Sequence, residues 1–278
     1  MIGLYKKKGD NRPKTCLEEF EELLKKENIP SVSLTGEEDD SVISSLRYIV
    51  VFGGDGTVLR AAKFARDKIP LIAVNSGTLG FLTSYEYGEA KRLVRDILSE
   101  SLSFTEREFL KVSTQGKEFL ALNDAVVLKN RNVDDYDQCV KLNFSIDGEC
   151  VDGYIGDGLI VSTPTGSTAY AISAGGPIIL PSIKACVAAP ICAHSLRSRP
   201  IVYPIDSVAE IKINQLSPSC VLYVDGKKEA ELSAGDAVKI TRSNKFAKIC
   251  NNGGGFFSRL SDKLNKWSIN DISEVEHG

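Results

Sequence analysis

No apolar run in this 278-residue chain approaches the ~20 residues that a helix needs to cross a bilayer, so a membrane-spanning protein is not expected. The seven cysteines, at positions 16, 139, 150, 186, 192, 220 and 250, include no CxxC pair and are odd in number. A disulfide framework or a zinc site is therefore not expected, and most of the thiols read as small buried hydrophobes. Histidine is scarce, with only His194 and His277. That leaves His194 alone to serve a Ser/His hydrolase, and its simpler reading is structural. Neither sign of charge dominates: 34 Lys and Arg against 37 Asp and Glu give a net charge of −3. Such a balance excludes a general nucleic-acid or membrane-surface binder, and Lys6-Lys7-Lys8 reads as a solvated loop. Several familiar phosphate-binding motifs are missing too. There is no Walker-type glycine-lysine loop, no third glycine after Gly54-Asp55-Gly56 where a Rossmann fingerprint needs one, and no protein-kinase motif set. HExxH is absent as well. Met1 to Tyr5 reads as a short strand with no apolar segment of a signal peptide behind it, so the expected location is cytoplasmic.

What remains is an ordinary globular composition, 42% hydrophobic and 26% charged, with room for one large domain or two modest ones. The first hundred residues alternate strand and helix. Leu17, Phe20, Leu23 and Leu24 mark one amphipathic helix. Val32 to Leu34 and Tyr48 to Phe52 read as strands, and Val58, Ala62 and Ala65 give the next helix an apolar face. Leu71 to Val74 is a buried strand. Ala90, Leu93, Val94, Ile97 and Leu98 then recur at helical spacing. Strands separated by helices imply a parallel sheet, in which ligands bind beyond the strand C-termini.

Near residue 102 the period changes to two, as in Val140, Leu142, Phe144 and Ile146. Gln115-Gly116, Asp147-Gly148 and Asp225-Gly226 punctuate the strands as hairpin turns. Val221 to Val224 and Ala237 to Ile240 are further strands. Asn251 to Gly255 breaks the chain, and a final helix follows with Phe257, Leu260, Leu264 and Trp267 on one face. The pattern predicts an N-terminal α/β parallel-sheet domain over 1–101 and 256–278, Rossmann-like in kind. It also predicts a C-terminal antiparallel β domain over 102–255, with the last helix returning to the first domain. No internal repeat or low-complexity tract occurs.

Three clusters carry chemistry. Gly53-Gly54-Asp55-Gly56-Thr57 follows the strand Tyr48 to Phe52 and precedes a helix. It places one carboxylate among backbone N–H groups suited to phosphates. One role for an acid there is to take a proton from a hydroxyl beside a polyphosphate; the plainer role is to cap the helix. Asp157 to Tyr170 continues through Ser173 to Pro177. Five hydroxyls lie between Ser162 and Thr168 around Pro164 and Gly166. They can read a sugar or base edge, or cap the next helix. Asn123-Asp124 interrupts the apolar run Leu122 to Val127, as a turn or bulge or as a pair that grips ribose hydroxyls.

In order and kind these segments resemble the NAD kinase family, together with Asn75 to Leu82, Ser195 to Pro200 and Phe257 to Leu260. The resemblance spans about Tyr48 to Trp267. The first motif is shared with lipid kinases and is similar to that of phosphofructokinases; the Asp157 to Pro177 block is specific to NAD kinases. The resemblance implies a phosphofructokinase- or diacylglycerol-kinase-like first domain and a β-sandwich second domain, with the site between them. It implies transfer of a phosphoryl group from ATP or polyphosphate to the adenosine 2′-hydroxyl of NAD, with Asp55 as general base and Mg²⁺ bridging the donor phosphates. No protein ligand for the metal is assigned. Gly54 and Gly56 would turn backbone N–H groups to the phosphates, and Arg60 would add positive charge. Asn123 and Asp124 would hold the substrate's sugar and base. Thr165, Thr168, Tyr170 and Ser173 would line the adenosine pocket, with Phe81 packed on the base. Asp157 and Ala169 would reach a neighbouring subunit's site, which implies a homodimer or homotetramer.

Two positions depart from the family pattern. The pair commonly Asn-Glu is Asn123-Asp124 here, shortening the carboxylate by one methylene. Ile155 replaces a residue that is basic in many members, which bears on NADP binding and on the choice between NAD and NADH. Two alternatives stand beside this expectation. A lipid kinase would share the Gly-Gly-Asp-Gly turn and would phosphorylate diacylglycerol or sphingosine. A non-catalytic dinucleotide sensor would be indifferent to Asp55→Asn.

Overall fold

The computed structural model describes residues 1–6, 14–65, 67–75, 80–130, 139–252 and 255–263. The chain divides into two compact units, Met1–Glu106 with Ala247–Gly278, and Arg107–Phe246.

The first unit runs β1 (Ile2–Lys6), α1 (Lys14–Lys26), β2 (Ser31–Leu34), α2 (Asp40–Ser44), β3 (Tyr48–Phe52), α3 (Asp55–Ala65), β4 (Leu71–Asn75), β5 (Tyr85–Glu86) and α4 (Ala90–Leu98). β2, β1, β3, β4 and β5 pair in that order, all parallel. Parallel neighbours need crossovers, and α1, α2 and α3 supply them. β3 and β4 are apolar along their lengths because helices cover parallel sheets: Ile49 to Phe52 and Leu71 to Val74 are all buried. α1 lays Phe20 and Leu24 on the sheet, and α3 buries Val58, Ala62 and Ala65, as their spacing predicts.

α4 departs from expectation at one position. Leu98 is 51% exposed, while Asp96 is buried and accepts a hydrogen bond from the Tyr85 hydroxyl at 2.9 Å. Burial, and after it the hydrogen bond to Asp96, pushes the tyrosine pKa well above that of an ordinary phenol. The helix is thus turned toward a polar partner that periodicity cannot reveal.

The second unit is antiparallel. Its elements are β6 (Phe104–Thr114, which begins in the first unit), β7 (Lys117–Ala121), β8 (Asp124–Lys129), β9 (Val140–Ile146), β10 (Glu149–Gly156) and β11 (Gly158–Ser162). A 3-10 turn (Gly166–Thr168), α5 (Tyr170–Ser173), β12 (Ala185–Ile191), β13 (Ile201–Pro204), β14 (Ala209–Ile213), β15 (Cys220–Val224), β16 (Lys227–Leu232) and β17 (Ala237–Cys250) follow. One sheet joins β10, β9, β14 and β17, with β6 on β17 and β7 on β6; the other runs β13-β12-β11-β8-β15-β16. A core between them includes Leu142, Phe144, Val127, Leu159, Ile211 and Leu222. Alternate residues of the second sheet, among them Val126, Ile160 and Val187, form a separate cluster, the two-residue period of a strand covered on both faces.

The three expected hairpin pairs are present. Gln115-Gly116, Asp147-Gly148 and Asp225-Gly226 all have positive φ, the conformation of tight two-residue hairpin loops. β17 is longer than the Ala237 to Ile240 pattern predicts. Its polar stretch Ser243 to Lys245 hides the continuity, and its end pairs with β4 in parallel through Ile249 and Leu71.

Residues 256–263 are helical and pack within the first unit. The apolar face differs from the predicted one. Phe257 is 66% exposed, and the buried residue is Arg259; Leu264, Trp267 and His277 lie outside the described residues. Phe20 is fully buried, with its ring 5.8 Å from that of Phe52. Phe20→Ala is expected to lower the unfolding free energy by about 3–5 kcal/mol, read as a lower urea midpoint with an unchanged slope.

Candidate active site

The site residues fall into clusters within each unit. In the first, β3 ends at Phe52 and α3 begins at Asp55. The carboxylate of Asp55 does not cap its own helix. It accepts hydrogen bonds from the backbone N–H groups of Phe81 (2.9 Å) and Leu82 (3.0 Å), in the segment after β4. A Cβ on Gly80 would lie 2.4 Å from Asp55 Oδ1, so only glycine admits the carboxylate at this distance. Cβ atoms built on Gly54 and Gly56 would meet nothing within 4 Å. The turn beside the carboxylate is therefore open, as backbone that is to approach a phosphate must be.

Two cations close this cluster. Arg259 is buried and donates to the Thr83 carbonyl (3.1 Å) and to Asn251 Oδ1 (2.6 Å). Burial pulls its pKa below the ordinary guanidinium value, and the Asp55 charge partly opposes that shift. Lys263 Nζ lies 3.9 Å from Asp55 Oδ2 and 4.2 Å from the centroid of the Phe81 ring. Neither cation was singled out from the sequence. The signal available was their i, i+4 spacing on one helix. Arg60 is on the exposed side of α3, and its charge acts on Tyr5.

In the second unit, Asn123-Asp124 stands where β8 begins. The Asp225 carboxylate accepts the N–H groups of Leu122 (3.1 Å), Asn123 (2.7 Å) and Asp124 (3.3 Å). Asp225 was legible only as half of a turn pair. Its turn gives it a second task, fixing the backbone that presents Asn123. Asp124 is buried, whereas Asn123 is partly exposed.

The hydroxyl block is joined to this pair. Thr163 N donates to the Asn123 carbonyl at 2.8 Å, and the Thr163 hydroxyl donates to the Leu122 carbonyl at 2.6 Å. A Cβ on Gly166 would lie 2.2 Å from the Asn123 carbonyl oxygen, so the two segments touch through backbone. The five hydroxyls divide by task. Ser162, Thr163 and Ser167 are buried and bonded to backbone carbonyls, which makes them structural. Thr168 donates to the Thr165 carbonyl at 3.3 Å. Thr165 is buried, at 9% exposure, and has no side-chain hydrogen bond among the described residues.

Ala169, Tyr170 and Ser173 follow on and around the short α5. Tyr170 is 41% exposed and, with Asp157, lines a cavity of about 370 Å³ shared with Lys129, Asn130, Tyr223 and Lys228. Ile155 is 44% exposed on β10, and its carbonyl accepts the His194 N–H. The structure thus brings Asp55 together with Phe81, Asn123 with the Thr163–Gly166 turn, and Asp157 with Tyr170.

Comparison with known proteins gives the family. Residues 7–102 match the ATP-NAD kinase N-terminal domain, and residues 123–252 the ATP-NAD kinase C-terminal domain. An NAD kinase of Petrotoga mobilis is 41% identical over 221 residues, 78% of this chain and 79% of that protein. One of Fusobacterium nucleatum is 38% identical over 239 residues, 84% and 86% of the two chains. The fold is also that of the yeast NADH kinase solved with NADH, with a TM-score of 0.84, 24% identity and coverage of 95% and 87%. The chain belongs to the NAD kinase family, and it is a kinase.

Asp225→Ala removes the acceptor of three N–H groups. It is expected to lower the unfolding free energy by about 2–4 kcal/mol in urea titration. Asp225→Asn, which keeps one carbonyl oxygen, is expected to lose less.

Proposed function

We propose that this NAD kinase transfers the terminal phosphoryl group of ATP, or of polyphosphate, to the adenosine 2′-hydroxyl of NAD, with Asp55 taking the hydroxyl proton. The observation that carries the reading is the fixed carboxylate of Asp55 beside the open turn at Gly54 and Gly56. Phosphoryl transfer needs an aligned nucleophile and neutralised charge more than covalent help. A carboxylate held by two N–H groups can align the hydroxyl and accept its proton without moving. In the same reading Gly54 and Gly56 admit the phosphates, and Arg60 adds positive charge nearby. Phe81 packs on the base; Asn123 and Asp124 hold the sugar and base, and Thr165, Thr168, Tyr170 and Ser173 line the adenosine pocket. Asp157 and Ala169 serve a neighbouring subunit of a homodimer or homotetramer.

Among the described residues no three His, Cys, Asp or Glu side chains form a metal-holding group, and this reading assigns Mg²⁺ no protein ligand. The ion would come on the donor phosphates, and when bound it would offset their charge. Seven free thiols support a reducing, cytoplasmic setting.

The test is NADP⁺ formation from NAD⁺, ATP and Mg²⁺, for wild type and Asp55→Asn in parallel. Wild-type activity with a loss of about 10²–10⁴-fold in the variant is expected of a general base. No product from the wild type, even with polyphosphate or NADH substituted, would sink the reading. Product inhibition gives a second check. Ile155→Arg is expected to tighten inhibition by NADP⁺, measured as a lower inhibition constant with little change in kcat; an unchanged constant would remove Ile155 from any role at the product phosphate.

A further inference from the structure

The helix at 256–263 carries two cations four residues apart, and they are used differently. Arg259 is buried, and its guanidinium is committed to the Thr83 carbonyl and Asn251. The first ties the helix to the segment after β4, the second to the end of β17. Lys263 is not needed for the same task. Its side chain keeps 24% of its exposure, and its ammonium stands 3.9 Å from Asp55 Oδ2, beyond hydrogen-bond reach. The Asp55 oxygens already accept the N–H groups of Phe81 and Leu82. The ammonium lies over the face of Phe81, 4.2 Å from the ring centroid, and within ion-pair distance of Asp55, two attractions that leave its N–H donors unspent. The result is a charged donor beside the proposed base.

We propose that Lys263 is a catalytic residue of the phosphoryl transfer, its ammonium binding the oxygens of the group in flight. The inference rests on the function proposed above. In the step, the 2′-oxygen forms its bond to the terminal phosphorus as the bond from that phosphorus to the ADP oxygen breaks. The hydroxyl proton passes to Asp55, and ADP leaves with the electron pair. Protonation of Asp55 cancels the negative charge that faces Lys263 in the resting enzyme. The ammonium then has the phosphoryl oxygens as its remaining anionic partner, at the moment their charge is being redistributed. A donor aimed where charge develops acts mainly on kcat.

The test compares wild type, Lys263→Met and Lys263→Ala in the NADP⁺ assay, with NAD⁺ binding by calorimetry and the thermal midpoint as controls. Methionine keeps an apolar stem on Phe81 and removes the charge. The expected result is a fall in kcat of about 10²-fold, with NAD⁺ affinity within about twofold of wild type and an unshifted midpoint. Ethylammonium is expected to restore part of the kcat of Lys263→Ala and none of that of Asp55→Asn. Wild-type kcat in Lys263→Met overturns the proposal while leaving the reaction standing. So does a loss matched by weaker NAD⁺ binding and a lowered midpoint with no ethylammonium rescue, which marks a structural lysine. Should the methionine variant fail to fold, Lys263→Gln carries the same two readings. Absence of NADP⁺ from the wild type would instead overturn the function on which the proposal rests.

Discussion

The carboxylate of Asp55 bonded to the N–H groups of Phe81 and Leu82 is the interaction around which the first unit's site is organised. It links the start of α3 to the segment after β4, two places that a parallel sheet brings to the same end of neighbouring strands. It sets the Phe81 ring, and that ring in turn sets Lys263. Gly80 is required by the same contact, since any side chain there would displace the carboxylate. A charged acceptor with both oxygens engaged is held more firmly than one bound through a single oxygen.

The second unit answers the same need with a different device. Asp225 gathers three consecutive N–H groups, and Gly166 closes on the Asn123 carbonyl. The segment that presents Asn123 is thereby fixed through its backbone. Its side chain takes no part in these contacts, nor does that of Thr165. Rigidity comes from buried backbone contacts, which leave a few side chains of the segment unused.

Much of this was legible from sequence where local chemistry decides the structure. The strand-glycine-helix order around Asp55, the parallel-to-antiparallel change near residue 102 and the three positive-φ hairpin pairs follow from neighbours a few residues apart. Legibility failed where the deciding partner is distant. Asp96 is turned inward by Tyr85, which apolar periodicity takes for a solvent position. The final helix buries Arg259 in place of Phe257 because Thr83 and Asn251 satisfy the guanidinium. Asp225 reads as a turn residue, since the N–H groups it binds lie about a hundred positions earlier. Ser162, Thr163 and Ser167 look identical in sequence to Thr165, and only their carbonyl partners set them apart.

The division of the chain has a bearing on its biogenesis. The second unit, Arg107–Phe246, is continuous, whereas the first is assembled from Met1–Glu106 and Ala247–Gly278. As the ribosome releases the chain, the antiparallel unit has all its strands before the parallel unit has its last one, and domains fold as units. β4 must wait for Ile249, and Asp55 waits longer still for Arg259 and Lys263. A nascent chain can thus hold a finished β unit while Asp55 still lacks both cations, so that the turn at Gly53 to Thr57 is among the last parts of the molecule to be completed.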